Sequence, residues 1–334
     1  MKSLIAASLL ALAPAAAFAQ AQPAAAGDTI RDEAPVAVQG PLRGRGLWRV
    51  AKGDHVMWVL GTQSPLPRRM QWRSHQVEAV LASSQEVLYP PSLQLTVDTG
   101  GFFRSLFLVP KLYGARKNPD DKTLRDVLPP ALYARWLPLR ERYLGRGRKA
   151  DRMRPLFAAD VLWLEALDDN DLVPGGIVGP VVERAVEARD LRETRPSMAI
   201  KVTDPKALLA EVEHAQLEDT ACMRMTIERL EAGSDRLRLR ANAWATGDLE
   251  ALRALPDMSQ DRECTEAAFD SPMLRKRGGG DIARELETAW LASAEAALEK
   301  NTSTFAMLPI SDLLSVDGYL AKLQARGYEV IAPR

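Results

Sequence analysis

Several residue types in this chain could do chemistry, and their spacing decides among them. Ser64 follows the apolar run His55–Leu60, where a strand end would present a hydroxyl. A serine nucleophile needs a neighbouring base and, in the usual elbow, an N–H on the next residue for the developing oxyanion. Residue 65 is proline, which has no N–H, the Gly-x-Ser-x-Gly pattern is absent, and no histidine stands nearby to act as base. His75 and Glu78 are spaced i,i+3, and Glu211, Glu213 and His214 cluster, but neither group forms His-Glu-x-x-His. Both read as solvated helix faces. Gly278-Gly279-Gly280 follows Arg275-Lys276-Arg277 without the Gly-Lys-Ser/Thr of a phosphate loop, so it reads as a loop before a helix that Asp281 caps. Arg135, Arg140, Arg142, Arg146, Arg148, Lys149, Arg152 and Arg154 face only Glu141 and Asp151 within the same stretch. This run, 135–154, is either a charged helix–loop surface or a contact for an anionic or protein partner. The tryptophans at 48, 58, 136, 163, 244 and 290 sit among apolar neighbours and are assigned to the core.

Composition bounds the rest. The chain has 334 residues, 46% hydrophobic and 26% charged, with 44 basic and 44 acidic side chains. That is ordinary globular usage. It excludes a disordered chain and a polytopic membrane protein, and the balanced charge offers no global field for nucleic acid. Residues 1–19 have the form of a signal peptide: Lys2, an apolar stretch from Leu4 to about Leu12, and a small-x-small cleavage signal at Ala17-Phe18-Ala19. The expected location is the periplasm, with no transmembrane segment in the mature chain. Residues 20–45, rich in Ala, Pro, Gly and Gln, read as a flexible linker. Export gives the cysteine pair a meaning. Cys222 and Cys264 are expected to form a disulfide, the alternative being two separate buried thiols.

The elements that must position these residues follow from periodicity. Leu47–Val50 and His55–Leu60, joined by Lys52-Gly53-Asp54, read as a hairpin. Helical spacing predicts helices over 70–82, from Pro130 to about Tyr143, and over 155–168, 181–188, 205–232, 235–246, 248–254, 281–299 and 316–325. Strands are expected at 86–89, 198–202, 304–310 and 328–331. Residues 101–113, apolar and aromatic, read as a helix under a lid or as a membrane-touching loop. The chain is β-rich at its ends and helical in the middle. The expected fold is therefore α/β: a central mixed sheet from the N- and C-terminal parts, flanked by helices, with a large helical insertion.

Four stretches carry a family resemblance. They are Leu47-Trp48-Arg49-Val50 with Val59-Leu60-Gly61-Thr62; Arg154-Pro155-Leu156-Phe157-Ala158-Ala159; Ala243-Trp244-Ala245-Thr246-Gly247-Asp248-Leu249; and Thr304-Phe305-Ala306-Met307 through Tyr319-Leu320 to Tyr328-Glu329-Val330. In order and spacing they resemble the TraB/GumN family over 46–334. The resemblance implies an EreA/ChaN-like fold and a site built from two Gly-x-x-His motifs with acidic residues after nearby strands. Imidazoles and carboxylates so placed would hold a divalent metal and activate water.

This chain departs from that pattern. Its first motif reads Gly61-Thr62-Gln63-Ser64 and its last reads Pro309-Ile310-Ser311-Asp312, so Ser64 and Asp312 stand where the resemblance implies histidine. Tyr89 and Lys201 stand where it implies acidic strand residues. His55, His75 and His214 lie elsewhere. The candidate cleft is therefore Gly61, Thr62, Gln63, Ser64, Tyr89, Lys201 and Asp312, with no catalytic residue carried over. No cofactor is expected; one carboxylate and neutral oxygens would hold Mg²⁺ or Ca²⁺ only weakly. The expected role is a non-enzymatic binding or accessory one. The alternatives are a metal-dependent hydrolase with an altered site around Asp312, and an envelope assembly partner.

Overall fold

The computed structural model describes residues 46–72, 74–97, 114–202, 204, 207, 210, 220–256, 264 and 281–333. The expectations for residues 1–45, for 101–113, for Glu211, Glu213 and His214, and for Gly278–Gly280 lie outside the described residues.

The N-terminal hairpin is β1 (Leu47–Lys52) and β2 (His55–Thr62), in register from Leu47↔Leu60 to Lys52↔His55. Gly53 makes the turn with φ +64°, a conformation that disfavours any side chain. β2 then pairs in parallel with β9 (Ser303–Pro309), from Val56↔Ser303 to Thr62↔Pro309. β9 pairs in parallel with β4 (Glu86–Leu88), and β4 with β7 (Arg192–Thr194). β10 (Glu329–Ile331) closes the other edge antiparallel to β1. The result is a mixed six-stranded sheet in the order β10-β1-β2-β9-β4-β7. Its strands come from the two ends of the chain, as expected, except β7, which the helical middle contributes.

Central strands are buried on both faces, which is why β2 and β9 read as near-continuous apolar runs. Helices cover the sheet: α1 (His75–Ser83), α5 (Gly179–Arg189), α9 (Ile282–Lys300), the short α10 (Ile310–Leu314) and α11 (Tyr319–Ala325). Phe305, Leu60, Leu88, Leu81 and Trp290 fill the resulting core.

A second core lies among helices. α3 (Pro130–Leu144), α4 (Pro155–Asp169) and α6 (Thr220–Glu231) enclose Trp136, Ala158, Leu162, Met223 and Ile227. The turn α2 (Leu124–Val127) joins them, its start fixed by a Thr123/Asp126 capping box. Cys222 and Cys264 meet in this core at disulfide distance, with Cα atoms 4.8 Å apart and a sequence separation of 42.

Two small pairings complete the set. β3 (Leu66–Pro67) meets β6 (Leu172–Val173) antiparallel, and β5 (Ser92–Val97) runs parallel to β8 (Ser197–Val202). The sequence reading missed β3, β6 and β7, which have two or three residues each, and β5, whose alternating Ser92–Val97 follows directly on Pro90-Pro91. Two helices follow α6: α7 (Ser234–Thr246) and α8 (Leu249–Ala254). Among the described residues no helix is long and apolar enough to cross a membrane.

Candidate functional site

In parallel sheets, ligands bind outside the carboxyl ends of the strands. Here β2 ends at Thr62, β9 at Pro309 and β4 at Leu88, and these strands are neighbours in the sheet. Gly61–Ser64, Tyr89 and Asp312 follow those three ends. The topology thus gathers six of the seven candidate cleft residues at one edge. Lys201 is different: it lies on β8 opposite Thr96, outside the six-stranded sheet.

Gly61 is required by close approach. A Cβ there would sit 2.4 Å from Ile310 Cδ1 and 3.0 Å from Trp48. Its carbonyl accepts a hydrogen bond from Trp244 Nε1 at 2.7 Å. Thr62 Oγ1 donates to Leu308 O at 3.2 Å, tying β2 to β9 at their ends. Gln63 is buried, and its carbonyl oxygen accepts from Arg240 Nε at 2.9 Å while its amide donates to Ser64 O at 2.8 Å. The Ser64 hydroxyl donates to Pro174 O in the loop after β6. The side chains of Gln63 and Ser64 thus bond to Arg240 and Pro174, not to Asp312.

Asp312 lies in α10 and is 7% exposed. Gly318 holds the following turn against it: a Cβ at 318 would come 2.4 Å from Asp312 O. Tyr89 is buried at the end of β4, its N–H bonded to Thr194 O at 2.9 Å and its ring covered by the Arg195 guanidinium at 3.5 Å. Burial first, and then the negative charge of the neighbouring Glu193 carboxylate, push its hydroxyl up to about 12, although Arg195 pulls the other way. The hydroxyl therefore stays protonated at any ordinary pH.

The residue that the sequence reading missed is Arg240. It is 2% exposed, and besides Gln63 it reaches Leu255 O at 2.9 Å, Leu252 O at 3.1 Å and Pro256 O at 3.3 Å. Those carbonyls lie at and just past the C-terminus of α8, where a cation is favoured. Leu237, Arg240, Ala241 and Trp244 fall on one buried face of α7. An arginine at helical spacing among apolar residues was the available signal. The Trp-x-x-Gly-Asp-Leu segment has a local logic too. Gly247 takes φ +72° after α7, with its N–H bonded to Trp244 O and the Asp248 N–H to Ala243 O at 2.8 Å, a Schellman ending. Asp248 then caps α8 by accepting from the Ala251 N–H.

The resemblance implies a divalent metal, and the side chains present do not fit one. The only oxygen of Gln63 able to ligate faces a guanidinium, and Ser64 is bonded to a backbone carbonyl. Among the described residues no three His, Cys, Asp or Glu side chains come together as a ligand set. His55 stands at the start of β2, the opposite end from Thr62, and His75 is exposed on α1. No reaction step is derived through a metal. Glu86, another buried carboxylate, is held in the fold by Thr194 Oγ1 at 2.5 Å, Asn301 Nδ2 at 2.8 Å and Arg192 at 3.6 Å.

An α/β protein with polar residues gathered at the ends of parallel strands, and a helical insertion carrying its own core, is the class this architecture defines. The chain belongs to the TraB/PrgY/gumN family, whose model it matches over residues 46–332. Neither the curated proteins nor the solved structures yield a match.

Proposed function

We propose that this family member is an exported, periplasmic protein whose crevice binds without catalysing, in an accessory role. The observation that carries the reading is the Gln63–Arg240 bond beside the Ser64–Pro174 bond. At the end of β2, where the family resemblance calls for a metal-holding imidazole, Gln63 is buried against Arg240 and the Ser64 hydroxyl is engaged by the Pro174 carbonyl. What remains at the facing strand end is Asp312, and a single carboxylate is a poor basis for activating water. Export is supported by the leader-like residues 1–19 and by a cysteine pair at bonding distance, which suits an oxidising compartment.

Calorimetric titration with Mg²⁺, Mn²⁺ and Zn²⁺ tests the crevice. The expected result is no saturable heat. Stoichiometric micromolar binding that disappears in Asp312→Ala would replace this reading with a metal-dependent hydrolase. Cell fractionation tests the address: the processed chain should begin at Gln20 in the periplasmic fraction, and retention in the cytoplasm would contradict export.

A further inference from the structure

Charge is unevenly spread on this molecule although its net charge is zero. The fold divides the basic run 135–154 into an inner and an outer part. Arg135 is bonded to Glu231 at 2.6 Å, with Glu228 at 4.0 Å. Arg140 pairs with Asp151 at 2.9 Å, and Asp151 also accepts from Trp136 Nε1 at 3.1 Å. Arg154 is 3% exposed. Arg140 and Arg154 belong to the packing of the helical core, and Arg135 is neutralised in a surface ion pair.

The outer part is the turn after α3. Residues 145–149 are all exposed, and an added Cβ at Gly145 or Gly147 would meet nothing within 4 Å. The turn therefore projects from the body. Arg146 is 93% exposed with Glu141 at 3.6 Å, and Arg148, Lys149 and Arg152 are exposed beside it. The fold also adds a cation that is distant in sequence. An antiparallel bridge pairs Lys117 with Met153, the Asn118 N–H donates to Arg152 O at 3.0 Å, and the Arg154 N–H donates to Arg116 O at 2.9 Å. Exposed Lys117 thereby joins the tip. The acids on the adjoining turn are Asp120, which faces Lys122 at 3.6 Å, and Asp121.

We propose that this basic tip, residues 145–149 with Arg152 and Lys117, docks on anionic phospholipid headgroups. Cations on a projecting turn match a plane of mobile phosphates, which asks for charge rather than fixed geometry. Single-stranded nucleic acid would call for open aromatic faces, and the Tyr143 ring beside the tip is covered by Arg142 at 4.9 Å. The proposal is independent of the crevice and survives if the crevice proves catalytic.

Cosedimentation of the chain from Gln20 onward, with vesicles of phosphatidylcholine alone or mixed with phosphatidylglycerol, tests it. The protein is expected to bind only the anionic vesicles and to be released by salt. The variant Arg146→Gln/Arg148→Gln/Lys149→Gln/Arg152→Gln should weaken binding by about a thousandfold, with an unchanged circular dichroism spectrum. A matched variant of exposed cations elsewhere, Arg224→Gln/Arg236→Gln/Arg253→Gln/Lys300→Gln, should bind as the parent does. Equal binding to neutral vesicles, no binding to anionic ones, or equal loss in both variants would overturn the proposal. Capture by heparin without capture by vesicles would overturn it too, assigning the tip to a soluble polyanion.

Discussion

Arg240 and Gly61 act on the same few atoms at the end of β2, one from its side chain and one by having none. Replacing Arg240 with Met keeps bulk but leaves the Gln63 oxygen and three carbonyls without their donor. Arg240→Met is expected to lose about 3 kcal/mol in urea unfolding. Gln63→Ala should lose about 1 kcal/mol, and the double variant less than the two losses combined, because the partners share one bond. Strict additivity would show that the bond does not couple them. Gly61→Ala forces a methyl group against Ile310, and about 1–3 kcal/mol should follow; a stability within error of the parent would contradict the close packing. Tyr89 adds a pH dependence. Its folded value lies near 12 against a usual 10. Stability from this group is therefore complete below pH 10 and is lost as pH rises from there through 12. Tyr89→Phe should flatten that alkaline decline, and an identical decline in the variant would sink the assignment. At this scale the sequence exposed Ser64 and Asp312 as departures from the resemblance. It did not expose the bonding of Gln63 and Ser64, because their partners Arg240 and Pro174 are more than a hundred residues away along the chain.

Elements were more legible. The hairpin, the helices with clear apolar faces and the last two strands lie close to their expected ranges, since periodicity reports burial directly. The edge strand β7 was not legible, because its three residues alternate with nothing. Of the long predicted helix 205–232, the described residues Ala207, Ala210 and Thr220–Glu231 are helical. The helical core holds a cysteine pair at disulfide distance. Closing 42 residues by Cys222–Cys264 constrains the unfolded chain by about 4 kcal/mol at the upper end of the chain-entropy estimate. Cys222→Ala/Cys264→Ala should unfold at clearly lower urea concentration, and so should the reduced protein. No shift in either would mean that the crosslink does not bear on stability.

At the scale of the whole molecule, parallel pairing of β2 with β9 is the decisive feature. It brings residues 61–64 beside 309–312 across most of the chain. The sequence implied this only through a family resemblance, because strand order is set by long-range pairing that composition does not encode. The same topology would serve a hydrolase or a binder, and the side chains at its edge are what would distinguish them. Hydrolysis of a mixed peptide and ester library by the purified protein, with chelator and with added Mn²⁺ or Zn²⁺, reads that difference. The account expects background rates in every condition, identical in the parent and in Asp312→Ala. Turnover that a chelator abolishes, a transition metal restores and Asp312→Ala removes would contradict it.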